Sequence, residues 1–197
     1  MSLIIAYKKD DVVYMGADTR VVMDDEKVNK VNASNYRIQK LDSGMLVGYS
    51  GDSLEEQTMS AYTDIFTLDK NGQLTKRHIV KEIVPKLYKL FQDTNLLETP
   101  KGELPFVKLE IILAYQDMLY VIGPNFMVCR SEGLWTFGYM SQCAHGAFMS
   151  IQDTEDVNER IVKAMEISAK YSMHVGGPYV LIDTKDQQFK VVGGNRA

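Results

Sequence analysis

Apolar positions come in short blocks from the start of the chain. Residues 3–7 are apolar, Lys8-Lys9-Asp10-Asp11 is polar, and residues 12–17 are apolar again. That pattern predicts two strands joined by a short turn, a hairpin at the N-terminus. Asp18-Thr19-Arg20 interrupts the second strand with charge, and residues 23–30 read as a loop or a ragged strand pair. Residues 36–41 alternate with period two, as a half-buried strand does. Asp42-Ser43-Gly44 is a turn before a strand at 45–49, which gives way to the small, polar Ser50-Gly51-Asp52-Ser53.

The period then changes. Leu54, Thr58, Ala61, Tyr62, Ile65 and Phe66 fall on one helical face, with Asp52 or Ser53 as the N-cap and Asp69-Lys70-Asn71-Gly72 as the stop. Ile79, Ile83, Leu87, Leu90 and Phe91 mark a second helix, which Pro85 is expected to kink or break. Residues 93–104 hold Pro100 and Gly102 and read as a loop. Strands return at 107–115, 118–122, 126–130 and 134–137. Ala144, Ala147, Phe148 and Ile151 mark a third helix. Val157, Ile161, Met165 and Ala169 mark a fourth, started by Thr154, Glu155 and Asp156. Residues 179–183 and 188–192 form a closing hairpin.

Strand blocks alternating with helix pairs predict an α+β fold rather than alternating α/β. Two sheets face to face with helices outside would satisfy the order. The length of 197 residues fits one domain over 1–197, and no internal repeat is visible.

Charge and composition narrow the partners. A net charge of −4 argues against a nucleic-acid partner held by charge alone. No apolar run approaches the ~20 residues that span a bilayer, so no membrane partner is expected. Without a signal peptide, the expected location is the cytoplasm. Cys129 and Cys143 read as two buried free thiols. His78, His145 and His174 share no metal-ligand spacing with another ligand type, and no glycine-rich phosphate loop appears, so neither metal nor cofactor is expected.

The fragments GADTR, MLVGYSGDS and FGYMSQCAHG…YSMHVGGPYVL, in that order and spacing, resemble a proteasome β-type chain and the bacterial proteasome-like HslV peptidase. The resemblance spans residues 3 to 192. It implies a four-layer αββα sandwich of the N-terminal nucleophile (Ntn) hydrolase type, assembly into homo-oligomeric rings, and threonine-type peptide-bond hydrolysis. In that family the nucleophile is the first residue of the mature chain, and its own α-amine is the base. An ordinary α-amine titrates near 7.7–8.0, close to working pH. The position falls on Ser2, exposed once Met1 is removed. Ser2 is equally an ordinary second residue or a cloning remnant.

The same resemblance gives roles to other residues. Asp18 matches the aspartate that orients the active-site lysine and the N-terminus. Gly51 matches the glycine whose N–H stabilises the oxyanion. Arg20 matches an arginine in a structural ion pair. Four positions depart from the family. Its catalytic lysine falls on Arg37, which keeps the charge but cannot give up a proton. Its serine between two glycines falls on Tyr139, within Gly138-Tyr139-Met140. Its second aspartate falls on Ser172, and its supporting serine on Val175.

Two readings follow. One is hydrolysis of a peptide or other amide bond by Ser2, with Asp18, Arg37 and Gly51 in support and Tyr139 and Ser172 at family site positions. The other is a catalytically silent ring subunit or scaffold. The helix over 154–171 is a candidate ring contact. The sequence assigns no ATPase partner.

Overall fold

The computed structural model describes residues 2–23, 26–29, 37–152 and 156–193. Successive side chains on a strand point to opposite faces, and this decides the layering. On β1 (Leu3–Lys9), Ile4 and Ala6 face one way and Leu3 and Ile5 the other, and all four are fully buried. A strand buried on both faces belongs to an inner layer.

β1 pairs antiparallel with β2 (Val12–Asp18) through a turn in which Asp10 and Asp11 both take positive φ. They sit in the centre of a five-stranded sheet. β10 (Leu134–Gly138) flanks β1, and β11 (Tyr179–Asp183) followed by β12 (Lys190–Val192) flanks β2. The second sheet runs β5 (Ile38–Lys40), β6 (Leu46–Gly51), β7 (Leu109–Tyr115), β8 (Met118–Ile122) and β9 (Val128–Ser131) in sequence order. β3 (Arg20–Met23) and β4 (Glu26–Asn29) pair as a separate hairpin, so the polar stretch after Asp18 contains a strand pair.

Ile4, Ala6, Met15 and Ala17 of the first sheet meet Ile38, Leu46, Ile112 and Ala114 of the second. Outside the first sheet, Leu3, Ile5 and Leu181 pack on α4 (Ser141–Ser150) and α5 (Val157–Lys170) through Phe148, Ile161 and Met165. Outside the second, Val47, Tyr49, Ile111 and Leu113 pack on Met59 of α1 (Ser53–Ala61) and on Ile83, Leu87 and Phe91. Full burial of each large apolar side chain contributes about 1.5–3 kcal/mol. The layers are therefore α, β, β, α, the sandwich that the resemblance implies.

Four details differ from the sequence pattern. Helix α1 buries Glu55 and Met59, while Leu54 and Tyr62 are 58% and 47% exposed, so the apolar face drawn through them is not the packed one. The helix also stops at Ala61, and a 3-10 turn at Thr63–Ile65 carries the chain on. Pro85 does not break the second helix. α2 (Lys76–His78), a π-helical turn at Ile79–Ile83 and α3 (Val84–Asp93) run on without interruption. Proline has no N–H to give, and the wider turn ahead of Pro85 accommodates the missing bond. Cys129 and Cys143 are free but only partly buried. Thr154, Glu155 and Tyr36 lie outside the described residues, and Asp156 alone is seen to cap α5, accepting from the backbone N–H of Asn158 and Glu159 at 2.9 and 3.2 Å. Among the described residues no helix is long and apolar enough to cross a membrane.

Candidate active site

Four strand ends converge at one edge of the sandwich. Leu3 begins β1 opposite Gly138 at the end of β10, Asp18 ends β2 opposite Tyr179, and Gly51 ends β6 in the other sheet. Ser2 lies at this junction, wholly buried. Its carbonyl oxygen accepts from the Tyr139 N–H at 2.7 Å and from Ser50 Oγ at 3.3 Å. Its hydroxyl is hydrogen-bonded to the Ser50 hydroxyl and donates to Glu56 Oε1 at 2.8 Å. Gly138 makes the junction possible. Its φ is +90°, and a Cβ there would collide with the Ser2 carbonyl oxygen and the Ser50 hydroxyl.

Asp18 and Arg37 form the floor. Asp18 Oδ1 accepts from the Leu3 N–H at 3.0 Å and from Arg37 Nη1 at 2.8 Å, and Oδ2 accepts from the Gly176 N–H at 3.2 Å. Arg37 Nη1 also donates to the Asp18 carbonyl at 2.7 Å, and Nη2 donates to the Arg20 carbonyl at 2.8 Å. The planar fork thus ties the end of β2 to the start of β3. A single ammonium point charge could not span these acceptors in the same way. Burial pushes the Asp18 carboxyl above its ordinary value, while the Arg37 charge and the backbone donors pull it down.

Gly51 sits where β6 hands over to α1. A side chain there would strike the Lys108 carbonyl oxygen, which explains the glycine. Its N–H is engaged: it donates to Glu56 Oε1 at 3.2 Å, the same oxygen that takes the Ser2 hydroxyl. Arg37 Nε lies 3.7 Å from Glu56 Oε2. Glu110, opposite Ser50 in the β6–β7 register, is pushed above the ordinary glutamate value by burial, with the Gly138 N–H pulling the other way.

The remaining expected residues take different places. Tyr139 reaches Ser2 through its backbone, while the residue is 39% exposed and its ring stands edge-on to the His174 ring at 5.0 Å. The next residue, Met140, holds the left-handed φ of 66° that a glycine would adopt more readily. Ser172 turns its hydroxyl to its own loop and accepts from the His174 N–H at 3.0 Å. Val175 is fully buried in the core against α4 and α5. Arg20 donates from Nη1 to the Val175 carbonyl at 2.9 Å and lies against Gly176, holding the loop before β11 in place. Among the described residues no cluster of three His, Cys, Asp or Glu could hold a metal ion.

Sequence reasoning places Ser2, Asp18, Arg37 and Gly51, and the fold brings these four together. It misses Ser50 and Glu56. Ser50 is the small polar residue directly before Gly51, and Glu56 stands one helical turn after it. A buried hydroxyl, a backbone N–H directed at the same point and a cation behind it are parts that acyl transfer can use.

No family model matches the chain, and no curated protein matches it. Solved structures do. BPH of Thiobacillus denitrificans, a bacterial proteasome homologue, superposes with a TM-score of 0.73 at 16% identity, covering 92% of this chain and 96% of its own. A structure of the same protein in complex with epoxomicin gives 0.71 at 16% identity, with 92% and 97% covered. The eukaryotic HslV of Trypanosoma brucei gives 0.62 at 13% identity, with 92% and 98% covered. The chain therefore shares the fold of BPH and HslV, the α, β, β, α sandwich described above.

Proposed function

We propose that this chain hydrolyses a peptide or other amide bond, with Ser2 as the nucleophile once Met1 is removed. The observation that supports this most directly is convergence: Ser2 Oγ and the Gly51 N–H reach one oxygen position at 2.8 and 3.2 Å. A hydroxyl nucleophile and an oxyanion donor must share such a point. The freed α-amine of Ser2 takes the hydroxyl proton as Oγ attacks the scissile carbonyl carbon. The C–N bond breaks, the departing amine takes that proton, and an ester remains on Ser2. Water then cleaves the ester, releasing a carboxylic acid and restoring the hydroxyl. Asp18 holds the Leu3 N–H beside the nucleophile, and the Arg37 cation lowers the proton affinity of the amine. Copies of the chain are expected to assemble, as the resemblance to ring-forming subunits implies.

The test is release of a fluorophore from peptide amides by the wild type and by Ser2→Ala. Activity that is lost in Ser2→Ala supports the reading, and equal activity in both contradicts it.

A silent assembly subunit is the second reading. It is favoured by the buried apolar Val175 and by the Ser172 hydroxyl, which is occupied in its own loop. No turnover of any peptide amide, with a stable oligomer in sedimentation, would select it over hydrolysis.

A further inference from the structure

The Glu56 carboxylate meets three donors from three parts of the chain. Oε1 takes the hydrogen of the Ser2 hydroxyl at 2.8 Å and that of the Gly51 N–H at 3.2 Å. Oε2 faces Arg37 Nε at 3.7 Å. A helix start needs none of this, because Gly51 precedes the N-cap Asp52, and Ser2 lies 54 residues away. The arrangement is a carboxylate cradle, and it coincides with the point where a reacting carbonyl oxygen would lie. The Gly51 N–H has a single hydrogen, and Glu56 holds it.

We propose that Glu56 is a tethered carboxylate that closes the nucleophile site. It stands in for the carboxylate that amide hydrolysis leaves, and a substrate carbonyl enters only after the Glu56 side chain swings out. What is closed rests on the reading of Ser2 as nucleophile, whereas the carboxylate occupancy does not. The local structure permits the movement. Glu56 lies in the first turn of α1, its backbone N–H bonded to the Asp52 carbonyl at 3.0 Å, and its side chain points back towards the helix start. Its side chain keeps 19% exposure, while Met59 packs the helix against the sheet and the neighbouring Glu55 is buried. Rotation about the Glu56 side-chain bonds therefore opens the site without unpacking α1.

Two measurements on wild type, Glu56→Ala and Glu56→Gln test this. The first is the unfolding temperature against formate concentration, with chloride at equal ionic strength as control. A ligand that binds only the native state raises that temperature, and the rise grows with the logarithm of its concentration above the Kd. Formate is expected to stabilise Glu56→Ala and to leave the wild type unchanged. The second is the rate at which a β-lactone acylates Ser2, followed by intact mass. The hydroxyl opens the lactone ring, so the adduct carries the whole lactone mass and the ring oxygen becomes a hydroxyl. Loss of the charge-assisted contacts predicts acylation about tenfold faster in Glu56→Ala, slowed again by formate, with Glu56→Gln in between. Formate acting on both proteins alike, or on neither, overturns the occupancy. A wild type that acylates as fast as Glu56→Ala overturns the closure. Formate stabilising Glu56→Ala while no protein acylates supports the occupancy and overturns Ser2 as nucleophile.

Discussion

Asp18 and Arg37 meet at 2.8 Å, with side-chain exposures of 0% and 7%, directly beneath the backbone of Leu3. The pair fixes the position of Ser2, because the Leu3 N–H and Arg37 Nη1 share Asp18 Oδ1. Removing one member leaves a buried charge without its partner, which costs about 3–5 kcal/mol. Arg37→Met is therefore expected to lower the urea midpoint strongly. Arg37→Lys keeps the charge but loses the fork to the Arg20 carbonyl, and is expected to cost about 1–2 kcal/mol. Equal losses for the two variants would show that the charge at this position does not matter.

Gly138 offers a second test of how Ser2 is held. A methyl group there meets the Ser2 carbonyl oxygen, and the φ of +90° strains any side chain. Gly138→Ala is expected to destabilise by more than about 2 kcal/mol. The loss should be visible in both thermal and urea unfolding. A neutral substitution would contradict the close approach of β10 to Ser2.

Glu110 makes a prediction about pH. Its native pKa lies above the ordinary value of 4.5 because of burial, so the native state binds the proton more tightly than the unfolded chain. Its contribution to stability is present below pH 4.5 and is lost as the pH rises through the raised native value. Glu110→Gln keeps the shape and cannot titrate. The stability of the wild type relative to Glu110→Gln is expected to fall with rising pH across that window, measured by urea unfolding. Wild-type stability that rises relative to Glu110→Gln as the pH increases would contradict the sign.

The strand framework is legible because strands buried on both faces, such as LIIAYKK and LEIILAY, read as short apolar runs bounded by polar turns. The four convergent residues were legible through the order of their motifs. Two side chains were not. Ser50 and Glu56 reach Ser2 from 48 and 54 residues away, across the two sheets, and no local pattern encodes that approach. The packed face of α1 was misread for a related reason. Hydrophobic periodicity counts Leu54 and Tyr62, whereas the buried positions are Glu55 and Met59, one of them a carboxyl that such a pattern leaves out. At Pro85 the helix runs on behind a π-helical turn at Ile79–Ile83 instead of breaking, and apolar periodicity does not distinguish such a turn from an ordinary one.

The most direct measurement is intact mass and peptide mapping of the chain after exposure to a β-lactone, beside Ser2→Ala. If the Ser2 hydroxyl is the nucleophile, Met1 is absent and a single adduct of the full lactone mass maps to Ser2, with none on Ser2→Ala. Retained Met1 with an unmodified Ser2, or an adduct that persists in Ser2→Ala, would contradict it.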